Sequence, residues 1–79
     1  MPSVLRQNGF NFYIYYRDHE PAHTHVFKSG EVVINLGRLT EPPSVREIRG
    51  MLKKDVRKAL LIAFGNQQYL LERWEEING

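Results

Sequence analysis

The sequence predicts an α+β fold: a four- or five-stranded antiparallel β-meander followed by one bent or two C-terminal helices packed on one sheet face. Two observations predict it. Up to Gly50, short runs rich in β-branched and aromatic residues alternate with turn dipeptides, which is typical of strands. From Leu52 onward, apolar residues recur at three- and four-residue intervals, which is typical of amphipathic helix. Strands followed by helix indicate an antiparallel sheet covered on one side.

The first predicted hairpin joins strands 3–7 and 10–16 through Asn8-Gly9. This dipeptide favours a two-residue type I′ turn, because both central residues of that turn need positive φ. The turn pairs Leu5 with Phe12. The even positions of the second strand are more apolar than the odd ones, so we assign them to the core. They are Phe10, Phe12, Ile14 and Tyr16.

A polar connection, 17–22, leads to a second predicted hairpin with strands 23–28 and 31–36. A two-residue turn at Ser29-Gly30 sets Lys28 opposite Glu31, a favourable charge pair. The same register sets His25 opposite Ile34, and it places His23 and His25 on the face that the helices cover. A shift of one residue would direct both histidines to the other face.

Residues 37–44 form a predicted loop, and 45–50 a predicted fifth strand at the sheet edge. The helical stripe then begins, with Leu52, Val56, Leu60 and Phe64 joined by Ala59 and Ala63. Gly65-Asn66 suits a helix C-terminus, yet the stripe resumes at Leu70. One bent helix and two helices both fit this pattern, and we favour a break near Gly65. Trp74, the only tryptophan, is predicted to anchor the helix on the sheet.

Length and composition predict one domain, 1–79, in the cytoplasm. The absence of cysteine excludes disulfides and thiolate metal sites and favours a reducing compartment. No apolar run approaches the roughly 20 residues that cross a membrane, and residues 1–7 lack the apolar centre of a signal peptide. The net charge of +2 does not by itself indicate a nucleic-acid partner.

All three histidines lie between Asp18 and Val26. On a strand, the two-residue spacing of His23 and His25 puts both imidazoles on one face. These histidines and His19 are therefore candidate catalytic residues for acid–base cleavage of RNA, with Arg17 to hold a phosphate. The alternative, which the predicted register favours, is that the strand histidines are structural and pack beneath the helix.

The same histidine pair could bind Zn²⁺ or Ni²⁺ with His19 or Glu20 as the third ligand. Functional transition-metal sites usually have three or more well-placed ligands, and the sequence identifies only two that share a strand face. We therefore predict no metal and no cofactor.

Positive charge is concentrated in one segment. Six of the eleven basic residues lie between positions 46 and 58, opposed there only by Glu47 and Asp55. These six are candidate contacts to nucleic-acid phosphates, although a solvated helix surface has the same composition. They are Arg46, Arg49, Lys53, Lys54, Arg57 and Lys58.

The sheet face opposite the assigned core carries two tyrosines and two valines, namely Tyr13, Tyr15, Val26 and Val33. Aromatic residues are enriched at interface centres, so this face is a candidate partner-binding surface. A half-polar face open to solvent is the alternative. Because so short a chain has a modest core, we expect a small partner protein or self-association.

The segment Glu20-Pro21-Ala22-His23-Thr24-His25-Val26 lies between the hairpin and a terminal helix bearing Leu70-Leu71-Glu72-Arg73-Trp74. In this arrangement the chain resembles the small bacterial proteins catalogued as domain of unknown function 4160. Ala22 stands where the family often has a second proline. The resemblance carries over no catalytic residues; His23 and His25 match the family's signature.

The resemblance implies a bacterial cytosolic protein whose gene often lies beside that of another small protein, and some such pairs have been proposed as toxin–antitoxin modules. We therefore predict the toxin component of such a pair, engaging or cleaving RNA. The alternative is a non-catalytic interaction module that uses the tyrosine-bearing sheet face. The sequence does not decide whether the chain is an enzyme.

Overall fold

The structure, a computed structural model, describes residues 3–38 and 40–79. Met1, Pro2 and Leu39 lie outside the described residues, and so do the parts of the predictions for 1–7, the 37–44 loop and the 1–79 domain that fall on them. The elements are β1 Leu5–Gln7, β2 Phe10–Tyr13, β3 His23–Phe27, β4 Glu31–Asn35, β5 Ser44–Arg49, α1 Lys53–Gly65 and α2 Gln67–Asn78.

The five strands form one antiparallel sheet in the order β1-β2-β3-β4-β5. The two helices pack on one of its faces, where apolar residues of both helices and of the sheet form a single core. The α+β prediction is confirmed, with five strands rather than four and two helices rather than one. Among the described residues, no helix has both the length and the apolar character required to span a bilayer.

The first hairpin forms as predicted. Asn8 and Gly9 have φ of 53° and 82°, and Leu5 pairs with Phe12. Strand β2 ends at Tyr13, three residues earlier than predicted. The assignment of Tyr16 to the core is therefore wrong, since its side chain is 64% exposed.

The second hairpin differs from the prediction by one residue. Its loop holds three residues, 28–30, so that Phe27 pairs with Glu31. Ser29 and Gly30 both have positive φ, and the Lys28 N–H donates to the Gly30 carbonyl at 3.0 Å. A Cβ on Gly30 would lie 2.6 Å from the Gly50 carbonyl oxygen, so the close passage of the chain after β5 requires glycine here.

Because the loop is one residue longer than predicted, each side chain of β3 lies on the opposite sheet face from the one predicted. His25 pairs with Val33 and Tyr13, not with Ile34 and Ile14, so it lies on the face away from the helices. Val26 takes the core position beside Phe12. Phe27, which the predicted register would place on the helix-covered face with His23 and His25, instead meets Tyr13 edge-on with ring centroids 5.5 Å apart.

The predicted break near Gly65 is confirmed. Asn66 stands between the helices, and its side-chain amide donates to the Ile62 carbonyl at 2.8 Å. Trp74 is buried in the core, as predicted. The stripe assigned to α1 is partly wrong, because Leu52 and Phe64 are exposed. The buried face of α1 instead consists of Asp55, Val56, Ala59, Ile62 and Ala63.

Candidate functional site

The two strand histidines lie together in the first half of β3, with ring centroids 5.2 Å apart. His23 is only 5% exposed, and its ring lies 5.3 Å from that of Trp74. The His25 side chain is 15% exposed and faces away from the helix-covered core. The prediction that both histidines pack beneath the helices is therefore wrong for His25, while His23 borders both the core and the outer face.

Asp18 completes a three-residue group, which we call the histidine site, comprising Asp18, His23 and His25. The connection after β2 turns sharply at Arg17, whose φ is 67°, and this turn brings Asp18 back toward the start of β3. Asp18 Oδ2 lies 3.3 Å from His23 Nε2 and 3.4 Å from His25 Nε2. The three potential ligand atoms all lie within 4.8 Å of one another.

The other ring nitrogen of each histidine faces an acceptor. His23 Nδ1 lies 2.9 Å from the Pro21 carbonyl oxygen, and His25 Nδ1 lies 3.0 Å from Glu31 Oε2. A carbonyl and a carboxylate only accept hydrogen bonds, so each Nδ1 carries the proton and donates. In the neutral imidazoles, both Nε2 atoms then present lone pairs toward Asp18.

At the centre of the histidine site, three hydrogen-bond acceptors therefore face one another: Asp18 Oδ2, His23 Nε2 and His25 Nε2. His25 Nε2 and Asp18 Oδ2 are buried, and neither has a hydrogen-bond partner among the described residues. Buried polar atoms are rarely left unpaired in folded proteins, because desolvation without a partner costs about 1–3 kcal/mol. A site with three converging lone-pair donors is suited to bind a cation.

Charged side chains and an aromatic ring surround the histidine site. Glu31 Oε1 accepts from Arg49 at 3.3 Å, and Arg49 also donates to Glu47 at 2.5 Å. That hydrogen bond lowers the pKa of Glu47 and raises the pKa of Arg49.

The Tyr15 ring lies against the His25 ring, with centroids 4.5 Å apart. Burial is the main cause that raises the pKa of the Tyr15 phenol, and the charge of Glu31 is the second. Tyr15 thus stays neutral at physiological pH.

Of the four predicted catalytic candidates, the structure brings together only His23 and His25. His19 is exposed and lies outside this group of described residues. The Arg17 guanidinium lies over the Tyr16 ring, 5.3 Å from its centroid. Asp18 was not among the predicted site residues, although it lies in the same short segment as the histidines.

Glu31 was also missed as a site residue, because the predicted register paired it with Lys28. In the structure, the Lys28 ammonium instead lies 4.0 Å from Asp55 Oδ1 and 4.7 Å from the centroid of the Phe10 ring. Because Glu31 is not paired with Lys28, its carboxylate contacts His25 on the same face of the sheet.

The predicted basic residues divide into two groups. Arg46 and Arg49 lie on β5, where Arg49 is engaged by two carboxylates. The other four lie exposed on α1 and form no salt bridge with any described residue; they are Lys53, Lys54, Arg57 and Lys58. The same helix exposes Leu61 and Phe64, at 69% and 59%.

The four predicted partner-binding residues do not share one face of the sheet. Val26 lies in the core, and Val33 shares the face of His25 but is buried at 3% exposure. Tyr13 and Tyr15 are half-buried, and their rings are tilted against each other with centroids 6.4 Å apart. They form the wall of the histidine site rather than an open apolar surface.

Comparison with protein families gives a match over residues 9–75 to the family described as Domain of unknown function (DUF4160). The matched span includes β2, the histidine site, the second hairpin and Trp74. No curated protein and no solved structure matches the chain. Since the match covers most of the sequence, including the residues on which the resemblance rested, the chain belongs to the DUF4160 family.

Proposed function

We propose that the chain engages single-stranded RNA through the outward face of α1, as the toxin component of a two-protein bacterial module. The observation that carries the RNA proposal is the composition of that face. It combines four exposed cations that form no salt bridge with described residues and two exposed large apolar side chains.

The spacing along α1 aligns these groups. Lys53, Arg57 and Leu61 follow one another at four-residue intervals and therefore lie along one line of the helix. Phe64 is three residues beyond Leu61, so it extends the same line. The cations occupy the N-terminal half of the helix, where the helix dipole adds further positive potential.

This arrangement suits the two components of an RNA strand. Lysine and arginine neutralise phosphates, and an exposed aromatic ring offers a surface on which an unpaired base can stack. Burial of Leu61 and Phe64 against bases would also remove apolar surface from water. A fully paired duplex keeps its bases stacked inside and offers no such partner for Phe64, so we favour single-stranded RNA.

We do not extend the proposal to RNA cleavage by the histidine pair. The helices cover one face of the sheet, whereas His25 lies on the other, so the basic face of α1 and the histidine site are on opposite sides. Acid–base cleavage also needs space for a phosphate between the two imidazoles. Asp18 Oδ2 occupies that space, within 3.4 Å of both Nε2 atoms.

The experiment measures the binding of a fluorescently labelled single-stranded RNA by anisotropy over a series of salt concentrations. We expect log K to fall linearly with log salt, with a slope of about −0.7 for each neutralised phosphate. Replacing Lys53→Gln together with Arg57→Gln should reduce the slope by about 0.7 for each phosphate that is no longer neutralised. Phe64→Ala should weaken binding by about 1–3 kcal/mol without changing the slope.

The matched control is the double variant Arg6→Gln, Arg73→Gln. It removes the same total charge from β1 and α2, where Arg6 bonds to Asn11 and Arg73 pairs with Glu76. We expect its RNA affinity to stay close to that of the unmodified protein. Equal loss of affinity in both double variants would mean that only net charge matters and would contradict a site on α1.

The toxin role is supported by the family resemblance and is tested separately by inducible expression in a bacterial host. We expect growth arrest that Lys53→Gln, Arg57→Gln relieves while the variant accumulates as folded protein. Normal growth during soluble expression of the unmodified chain would reject the toxin role, and RNA binding would still be decided by anisotropy.

A further inference from the structure

We propose that the histidine site, Asp18, His23 and His25, binds one divalent first-row transition-metal ion of the Zn²⁺ class. The inference does not depend on RNA binding, since it concerns the opposite side of the sheet. It rests on which ring nitrogen of each imidazole carries the proton, on the distances between the three ligand atoms, and on the groups that hold the ligand side chains in place.

The first argument concerns the lone pairs. Because Nδ1 of each histidine donates, to the Pro21 carbonyl or to Glu31, each neutral ring presents an unprotonated Nε2. Both Nε2 atoms are directed at a carboxylate oxygen, which is also an acceptor. Three acceptors have no proton to share among themselves, whereas one bound cation would satisfy all three together.

The second argument concerns distance. Zinc binds histidine nitrogen at about 2.0–2.1 Å and carboxylate oxygen at about 2.0–2.2 Å, and its structural sites are tetrahedral. Two ligands of a tetrahedral ion at these bond lengths are separated by about 3.3–3.4 Å. The two measured separations from Asp18 Oδ2 are 3.3 Å and 3.4 Å. The carboxylate and the imidazoles thus have the spacing of ligands around one ion.

The simplest alternative is that a proton converts one histidine into an imidazolium paired with Asp18. Charge-assisted N–H···O bonds are shorter, at about 2.7–2.9 Å. At 3.3 Å and 3.4 Å, both separations are longer than that. His25 Nε2 and Asp18 Oδ2 also lack the geometry of a hydrogen bond, since neither has a partner among the described residues.

The groups behind the ligands match those of known metal sites. A metal-binding histidine almost always donates its other ring N–H to a carbonyl or carboxylate, which fixes the ring and increases its basicity. Pro21 O does this for His23, and Glu31 does it for His25. Arg49 in turn holds Glu31 at 3.3 Å.

The donor set defines the class of ion. Two imidazole nitrogens and one carboxylate oxygen suit Zn²⁺ and its neighbours in the first transition series, whereas Mg²⁺ and Ca²⁺ prefer oxygen ligands alone. The side chains of Asp18 and His25 are 22% and 15% exposed, although Asp18 Oδ2 and His25 Nε2 are themselves buried. Three protein ligands leave the fourth tetrahedral position to a water molecule, as in zinc sites that have three protein ligands.

The test is calorimetric titration of the untagged, metal-free protein with ZnCl₂, together with the visible absorption of the Co²⁺-loaded protein. We expect one ion per chain and the intense absorption of tetrahedral Co²⁺. Asp18→Ala should weaken Zn²⁺ binding by more than about tenfold, since even loss of an outer-shell partner typically costs 10- to 100-fold. His19→Ala, an exposed histidine next to Asp18, should bind as tightly as the unmodified protein.

Because His23 packs on Trp74, we leave it unchanged and use His25→Ala as the second ligand variant, with circular dichroism to confirm folding. Long-range ¹H–¹⁵N spectra provide an independent readout. Without metal, His23 and His25 should be protonated on Nδ1, and Zn²⁺ should shift their Nε2 resonances but not those of His19.

Three results would overturn the metal site: no stoichiometric binding of Zn²⁺ or Co²⁺, binding that Asp18→Ala and His25→Ala both leave intact, or Nε2-protonated rings in the metal-free protein. Loss of binding in His19→Ala would likewise reject this set of ligands. None of these measurements uses RNA, so a negative result would reject the metal site without bearing on the proposed binding of RNA by α1.

Discussion

At the scale of single residues, Gly30 decides which face of the sheet the histidines occupy. Its φ of 135° is accessible to glycine and strained for any other residue, and it lies against the backbone of Gly50. This conformation permits the three-residue loop after β3, and the loop length sets the register of the hairpin. A site on the outer face therefore depends on a residue that has no side chain.

We predict that Gly30→Ala destabilises the protein by about 1–3 kcal/mol, because alanine at this φ is strained and its Cβ would meet the Gly50 carbonyl at 2.6 Å. Urea unfolding measures the change. Gly65→Ala is the matched control: its Cβ meets nothing within 4 Å, and Gly65 is the last residue of α1. Alanine is favoured over glycine in helices, so the control should be neutral or stabilising by up to about 1 kcal/mol. Equal effects of the two substitutions would contradict the role of Gly30.

At the scale of elements, Gln67 fixes the start of α2 to the loop between β4 and β5. Its amide nitrogen lies 2.8 Å from the Leu36 and Arg38 carbonyl oxygens and 2.6 Å from that of Glu41. The side chain is buried, and its two amide hydrogens are shared among the three carbonyls, which replaces hydrogen bonds that the loop would otherwise make with water. Gln67 thereby joins the helical layer to a loop whose described residues form no helix or strand.

We predict that Gln67→Ala lowers the free energy of unfolding by about 1–3 kcal/mol, because the buried Leu36 carbonyl and the partly buried carbonyls of Arg38 and Glu41 lose their donor. Gln68→Ala provides the control. Gln68 is exposed, and among the described residues its side chain bonds only to Glu72, across 3.4 Å, so we expect a change within about 0.5 kcal/mol. Chemical denaturation of both variants tests the difference, and an equal loss of stability would show that the three bonds to carbonyl groups contribute nothing specific.

Elements were also the scale at which the sequence was most informative. Asn8-Gly9 predicts the first hairpin because its turn type has few alternatives, and the apolar spacing after Met51 can only be helical. Ser29-Gly30 is different, because it fits loops of two or three residues equally well. The close approach of Gly30 to Gly50, which lies far along the chain, selects the longer loop.

The histidine site could be predicted only in part for the same reason. The spacing of His23 and His25 shows that they share a face, but the face itself follows from the register. Asp18 reaches the histidines through a turn at Arg17, a positive-φ residue that no turn motif in the sequence indicates. The contribution of Asp18 to the histidine site can therefore be recognised from the structure but not from the sequence.

At the scale of the whole molecule, the sheet separates two proposed sites. Stacked sheet and helix layers are each about 10 Å thick, so the outward cations of α1 lie about 20 Å from the histidine site. The Debye length at physiological ionic strength is about 8 Å. A metal ion at the histidine site is therefore electrostatically screened from RNA on α1.

We predict that saturating Zn²⁺ changes the RNA affinity by less than about twofold at physiological salt, because screening removes the interaction between the two charges. Lys53→Gln, Arg57→Gln should similarly leave the Zn²⁺ affinity unchanged. Anisotropy with and without Zn²⁺, and calorimetry on the double variant, measure the coupling in both directions. A coupling above about tenfold in either direction would mean that a conformational change links the two faces.

The strand order also determines when the histidine site can form during folding. Every strand pairs with its neighbour in the sequence, and the residues from Asp18 to Glu31 belong to one hairpin and the connection before it. Closing a short loop costs little chain entropy, and hairpins form in about 1–10 μs. We therefore expect the histidine site to assemble before the helices dock, so that a metal ion present during synthesis could act as a nucleus on which the remaining chain folds.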